Sequence, residues 1–161
     1  MAFDAFLKLD GIDGESADSK HKNEIDLMSF SGGHSNTGSS ALGGGGGSGV
    51  VHFQDYQFTI RHQKCSPKLM LACATGDHIK SAIITCRKQG GTQIEFLQIT
   101  LSDLIVSSYS SGGSSGGEDV PIDSFSLNFS KIQTAYKEQN KDGTAGGAIN
   151  AGWDVKQKVK V

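Results

Sequence analysis

The sequence predicts a mainly β fold, an antiparallel β-barrel of two packed sheets with one short α-helix. Three observations lead there. Apolar and β-branched residues alternate with polar ones through several runs, the period of a strand with one buried face. Only one segment carries helix punctuation, a proline near its start and a glycine at its stop. Strands and helices do not alternate, which disfavours a doubly wound parallel sheet and leaves a barrel or a sandwich.

Taken in order, residues 5–10 read as a short first strand. Residues 23–30 read as a second, in which Ile25 and Leu27 alternate with Glu24, Asp26 and Met28. A long third strand spans 50–63, where Val51 and Phe53 alternate with His52 and Gln54 before Tyr56, Phe58 and Ile60. The helix follows at 66–75. Ser66 offers a hydroxyl to its first turn, Pro67 costs no hydrogen bond at the first helical position, and Gly76 supplies the left-handed stop. Residues 79–88 return to strand, 88–91 form a hairpin connection, and 92–108 give a long strand rich in Ile, Leu and Phe. A second Gly and Ser loop covers 110–117. Another strand runs over 124–136, a turn over 141–147, and a last strand over 148–161. In that last strand strict alternation puts Trp153, Val155, Val159 and Val161 on one face and Lys156, Lys158 and Lys160 on the other.

Residues 31–49 stand apart: fourteen of nineteen are Gly or Ser. Such a stretch has little apolar surface to bury and is expected to stay mobile in the free chain. A loop of this length in a compact domain is uncommon, and is either a linker or a segment that orders against a partner. The thirty residues before it cannot bury a core of their own, so the loop leaves and re-enters one domain spanning 1–161.

Composition excludes several functions. A net charge of −2 provides no footprint for nucleic acid. No apolar run is long enough to span a membrane, and the opening MAFDAFLKLDG lacks the basic region of a cleavable signal, so the chain is expected to be made in the cytoplasm. Cys65, Cys73 and Cys86 leave one thiol unpaired and show no C-x-x-C spacing, which favours reduced, packed thiols over a disulfide frame or zinc site. The string Gly112-Gly113-Ser114-Ser115-Gly116 matches a nucleophile elbow, but Glu118, Asp119, Val120 and Pro121 do not open the helix that an elbow needs. No lysine follows the glycines of the long loop, so it is not a phosphate cradle. Asp10, Asp13, Glu15 and Asp18 lack the spacing of a calcium loop and read as a solvated turn, and the five histidines show no metal spacing. No catalytic, cofactor-binding or metal-binding residues emerge.

Read in sequence, FLKLDGIDGES, EIDLMSFSGG, the GGGGGSG run, FQDYQF, SPKLMLACATGDH, CRKQGG, ITLSDLIVSS, GGSSGGED, LNFSKIQ and GWDVKQKV resemble the haemolysin-coregulated protein (Hcp) family of bacterial type VI secretion. The resemblance covers essentially the whole chain. It implies a small two-sheet barrel with one helix, assembling into hexameric rings that stack into a tube. Such a tube is sheathed, capped by a spike, seated on a baseplate and exported to target cells without a cleavable signal, carrying small effector proteins in its lumen. Many members carry an aromatic residue where this chain has Gly32 and an acidic one near His62. On this reading the chain is a structural subunit and not an enzyme. Leu42 and Gly43, Gly44, Gly45, Gly46 and Gly47 are expected to connect stacked rings, and Ser31 and Ser114 to face cargo. The other reading open to the residues is a monomeric ligand-binding barrel in which the glycine loop is a lid.

Overall fold

The computed structural model describes residues 2–38 and 49–161. Among these residues eleven strands and one helix follow one another as β1 (Phe3–Leu9), β2 (Ile25–Asp26), β3 (Ser29–Ser31), β4 (His34–Asn36), β5 (Val51–Phe53), β6 (Tyr56–Arg61), α1 (Ser66–Thr75), β7 (Ile79–Lys88), β8 (Glu95–Gly112), β9 (Ile122–Gln139), β10 (Ala145–Asp154) and β11 (Val159–Lys160).

The architecture turns on the hairpin of β8 and β9, each 18 residues long. One part of it belongs to a sheet ordered β11-β10-β9-β8-β7-β1-β2. The other part, Ile105 to Gly112 of β8 against Ile122 to Asn128 of β9, carries β6 on the free side of β9, and β6 carries β3. Two sheets thus share one hairpin, and their inner faces meet in a single core. Leu7, Ile25, Phe58, Ile60, Ile84, Leu101, Phe125 and Leu127 are all buried there, so the interior is filled by side chains. The ladder itself does not close into a ring of strands. Residues 25–31 bridge its two edges instead: the Leu27 amide donates to Ala5 of β1 at 3.0 Å, and the next amide, Met28, donates to Thr59 of β6 at 2.9 Å.

That bridge corrects the single strand expected over 23–30, which is divided into β2 and β3 because successive amides serve opposite edges. The expected strand over 50–63 is likewise two, with β5 paired to β4 in a separate hairpin and β6 in the second sheet. β4 lies inside the stretch read as loop, as does Ser31 at the end of β3, so the Gly and Ser segment begins later than expected. At the C-terminus the chain reverses after Asp154, with Lys158 at φ 58°, and β11 folds back on β10. Trp153 therefore sits opposite Lys160 on the same face, against the expected separation of the two.

The helix forms where expected, and Gly76 closes it at φ 70° with its amide bonded to Ala72 at 2.9 Å. Ser66 is not its cap. Cys65 holds that position without a side-chain bond, and the Ser66 hydroxyl is engaged elsewhere. Gly32 is explained by Tyr56: a Cβ there would lie 2.4 Å from the Tyr56 ring, which fills the space an aromatic side chain would take.

Candidate functional site

The second sheet has one apolar and one polar face, fixed by its register. Directly opposed residues share a face, so Phe30, Phe58, Phe125 and Tyr109 form one row toward the core, with the Phe58 and Phe125 rings stacked at 5.1 Å. The alternate residues form two rows on the other face. Ser31, Gln57, Ser126 and Ser108 make one; Ser29, Thr59, Ser124 and Ser110 make the other. All eight side chains are uncharged, and six are serines. A shallow groove of about 450 Å³ is lined by all of them except Ser126.

A β-bulge between Val106 and Ser108 sets two serines of β8 against one residue of β9. Ser107 and Ser108 accordingly both reach the Ser126 hydroxyl, the former at 2.8 Å. Asp55 borders this end, accepting from Ser107 at 2.6 Å and from Asn128 at 2.8 Å. Beyond the opposite end, Arg61 pairs with Glu118. Charge is confined to the borders, and the face itself offers hydroxyl and amide groups with no titrating side chain among them.

Both outer edges of this sheet are open among the described residues. β3 is paired only to β6, and residues 105–112 of β8 only to β9. Ser31 lies in the serine rows. Ser114 does not: it is exposed in the turn after β8, lining a separate concavity with Gly113, Glu118 and Pro121. Leu42 and Gly43 to Gly47 lie outside the described residues; the part that is described shows β4 and β5 forming a stem on either side of them.

Sequence reasoning missed Asp123. It is fully buried, accepts from the Ser66 hydroxyl, and meets His62 Nδ1 at 3.0 Å. Burial pushes its carboxyl up, but hydrogen bonds from Ser66, Ser111 and His62 outweigh this and hold it below the usual carboxylate range. The three residue types are those of a hydrolytic triad, but the order is wrong. The carboxylate stands between the other two, so the Ser66 hydroxyl donates to Asp123 and is not activated by His62. The cluster ties the start of α1 to β9. His62 is thereby a donor to a buried carboxylate. No signal in the sequence links Ser66 to a residue 57 positions away. Among the described residues no group of three or more His, Cys, Asp or Glu is placed to hold a metal. No helix there is long and apolar enough to cross a membrane.

The family described as "Type VI secretion system effector, Hcp" matches residues 6–136. The chain belongs to the Hcp family. Protein hcp1 of Pseudomonas aeruginosa PAO1 is 46% identical to it over 162 residues, covering 99% of both chains. The crystal structure of Hcp1 from Salmonella typhimurium is 38% identical, covers 100% of both and superposes with a TM-score of 0.82. A second solved structure, of a type six secretion system protein, is 30% identical, covers 99% of this chain and 100% of its own, and reaches a TM-score of 0.94. The mainly β fold with one helix is thus the Hcp fold, and the chain is a type VI secretion protein of a secreted, structural family.

Proposed function

We propose that this Hcp-family chain is the inner-tube subunit of a type VI secretion machine. Copies close into a hexameric ring, rings stack into a tube, and the serine face lines the lumen. One observation carries the reading: a sheet with two open edges whose outer face carries two adjacent rows of eight uncharged side chains, six of them serines. Open strand edges are templates for pairing with another chain, and a heterologous edge-to-edge join repeats until it closes. Short polar side chains keep a channel wide and bind no single surface strongly, which suits transit of varied effector proteins. Spike, sheath and baseplate are the further partners of such a tube. The subunit acts by assembly, without catalysis, and is exported through the machine.

Negative-stain microscopy of the purified protein tests this directly, since rings are expected and a field of monomers overturns it. Within intact rings, Ser31→Gln extends a side chain from the serine face and is expected to lower effector retention in pull-downs. Unchanged retention of every effector would remove Ser31 from the lumen. The stacking role of Leu42 and Gly43 to Gly47 is tested by deleting Gly43 to Gly47. Rings are expected to persist while tubes and secretion are lost, and tubes built by the deletion variant would place the stacking contact elsewhere.

A further inference from the structure

The two ends of the larger sheet carry opposite charge. At one end β11 is the outermost strand, bonded only to β10. Lys156, in the turn before it, is held by Asp103 at 2.9 Å, while Lys158 and Lys160 are exposed and have no carboxylate partner among the described residues. Val159 and Val161 beside them are about half exposed. At the other end, β2 is bordered by the segment that read as a solvated acidic turn. The Gly14 amide donates to Asn23 and the Ser16 amide to Glu24, so residues 14–16 lie beside residues 23–24, which lead into β2. Gly14 permits this approach, since a Cβ there would lie 2.5 Å from the Glu24 carbonyl oxygen.

Asp18 and Asp4 at this border are matched by Arg87, and Glu24 by His21. Asp10, Asp13, Glu15 and Asp26 are exposed and have no cationic partner among the described residues. Burial chiefly, with a smaller contribution from the charges of Asp18 and Asp4, pushes the Asp26 carboxyl up.

We infer that the lysine edge at β11 of one copy docks on the acidic border outside β2 of the next copy. The occupant is a second copy of this chain, since the border at residues 10–26 stays net negative even with the exposed Lys20 and Lys22 counted, while Lys158 and Lys160 leave the β11 edge net positive. The inference rests on the ring reading and names the chemistry of its subunit contact. Because the two borders are different surfaces at opposite ends of one sheet, the contact is heterologous and repeats around a ring where a two-fold dimer would end. Lys158 and Lys160 then select the neighbour and its direction, while pairing of open strand edges supplies the backbone bonds. Like borders repel, which disfavours head-to-head pairs.

The test is a charge exchange followed by native mass spectrometry and sedimentation at fixed subunit concentration. The unaltered chain is expected as a ring. Lys158→Glu with Lys160→Glu is expected to abolish the ring species and leave the 17.0 kDa subunit. Adding Asp13→Lys and Glu15→Lys to that variant is expected to restore the ring. The Asp13→Lys and Glu15→Lys pair alone is expected to lose it, which provides a second reading should the lysine variant fold poorly by circular dichroism. Salt is expected to weaken the unaltered ring, because exposed pairs are screened at high ionic strength. A ring that survives both double variants overturns this contact and leaves the ring reading standing. An unaltered chain that never assembles overturns the ring reading, and this contact with it.

Discussion

Replacing Arg87 by Met is expected to destabilise the fold by about 1.5–3 kcal/mol, the range for hydrogen bonds to charged groups. Arg87 is 3% exposed on β7 and grips Asp18 with both terminal nitrogens, at 2.7 and 3.1 Å, while one of them also reaches Asp4 at 3.2 Å. Its guanidinium carbon lies 5.0 Å over the Phe6 ring, whose face also stacks on His21 at 4.3 Å. One side chain therefore fastens β1, β7 and the irregular segment before β2. The hydrogen bond from Arg87 is the chief reason that the Asp18 carboxyl is held well below the usual carboxylate range. Without the arginine, Asp4, Asp18 and Asp26 face one another with no cation between them. Urea unfolding at pH 7 measures the loss, and for a chain of this size it corresponds to a melting temperature lower by on the order of 10 °C. Arg87→Lys is expected to recover only part of it, because an ammonium cannot reproduce the two-pronged grip. A Met variant as stable as the parent would show that the cluster is not what secures the N-terminal segment.

Asp123→Asn is expected to cost about 2–3 kcal/mol at neutral pH, the price of weakening hydrogen bonds to a buried charge. The amide keeps the shape of the carboxylate but has one accepting oxygen in place of two, so Ser66 or His62 loses its partner. The pH dependence follows from the direction of the shift. A carboxyl held below its unfolded value in the native state contributes stability above that unfolded value, near pH 4, and loses it as pH falls further. The parent protein is therefore expected to lose stability between pH 5 and pH 3 more steeply than the Asn variant. Parallel acid limbs in urea midpoints taken across that interval would show that Asp123 does not govern this loss.

Much of the fold was legible because its signals are local. Pro67 and Gly76 mark α1, and the alternation through residues 79–88 marks β7 at its observed ends. The serines hid the rest. Ser107, Ser108, Ser110 and Ser111 read as the approach to a loop, yet they continue β8 to Gly112, since a strand whose outer face meets water does not need apolar residues there. Two of them, Ser108 and Ser110, belong to the proposed lumen face, so the residues that concealed the strand also enter the proposal. Ser31 was named from its place at the root of the Gly and Ser segment, whereas its neighbours Ser29, Gln57, Thr59, Ser124 and Ser126 required the register, which no local pattern encodes. The Asp123 cluster and the Arg87 grip depend on contacts across 57 and 83 positions, and such distances leave no mark in a single chain.

The placement of β1 has a consequence in time. Asp4 and Arg87 are 83 positions apart, and every ladder partner of β1 on β7 lies at a comparable remove. A ribosome adding 5–20 residues per second needs roughly 4–17 s to deliver those partners after β1 has been made. Through that interval Phe6 and Leu7 have only Asp26 and Ile25 of β2 to pair with, and Phe3 has no partner strand. The β8 and β9 hairpin, by contrast, needs only its own two strands, and hairpins form in microseconds. Until β7 emerges the first strand synthesised has only the two-residue β2 as a ladder partner, so its long edge waits for the middle of the chain.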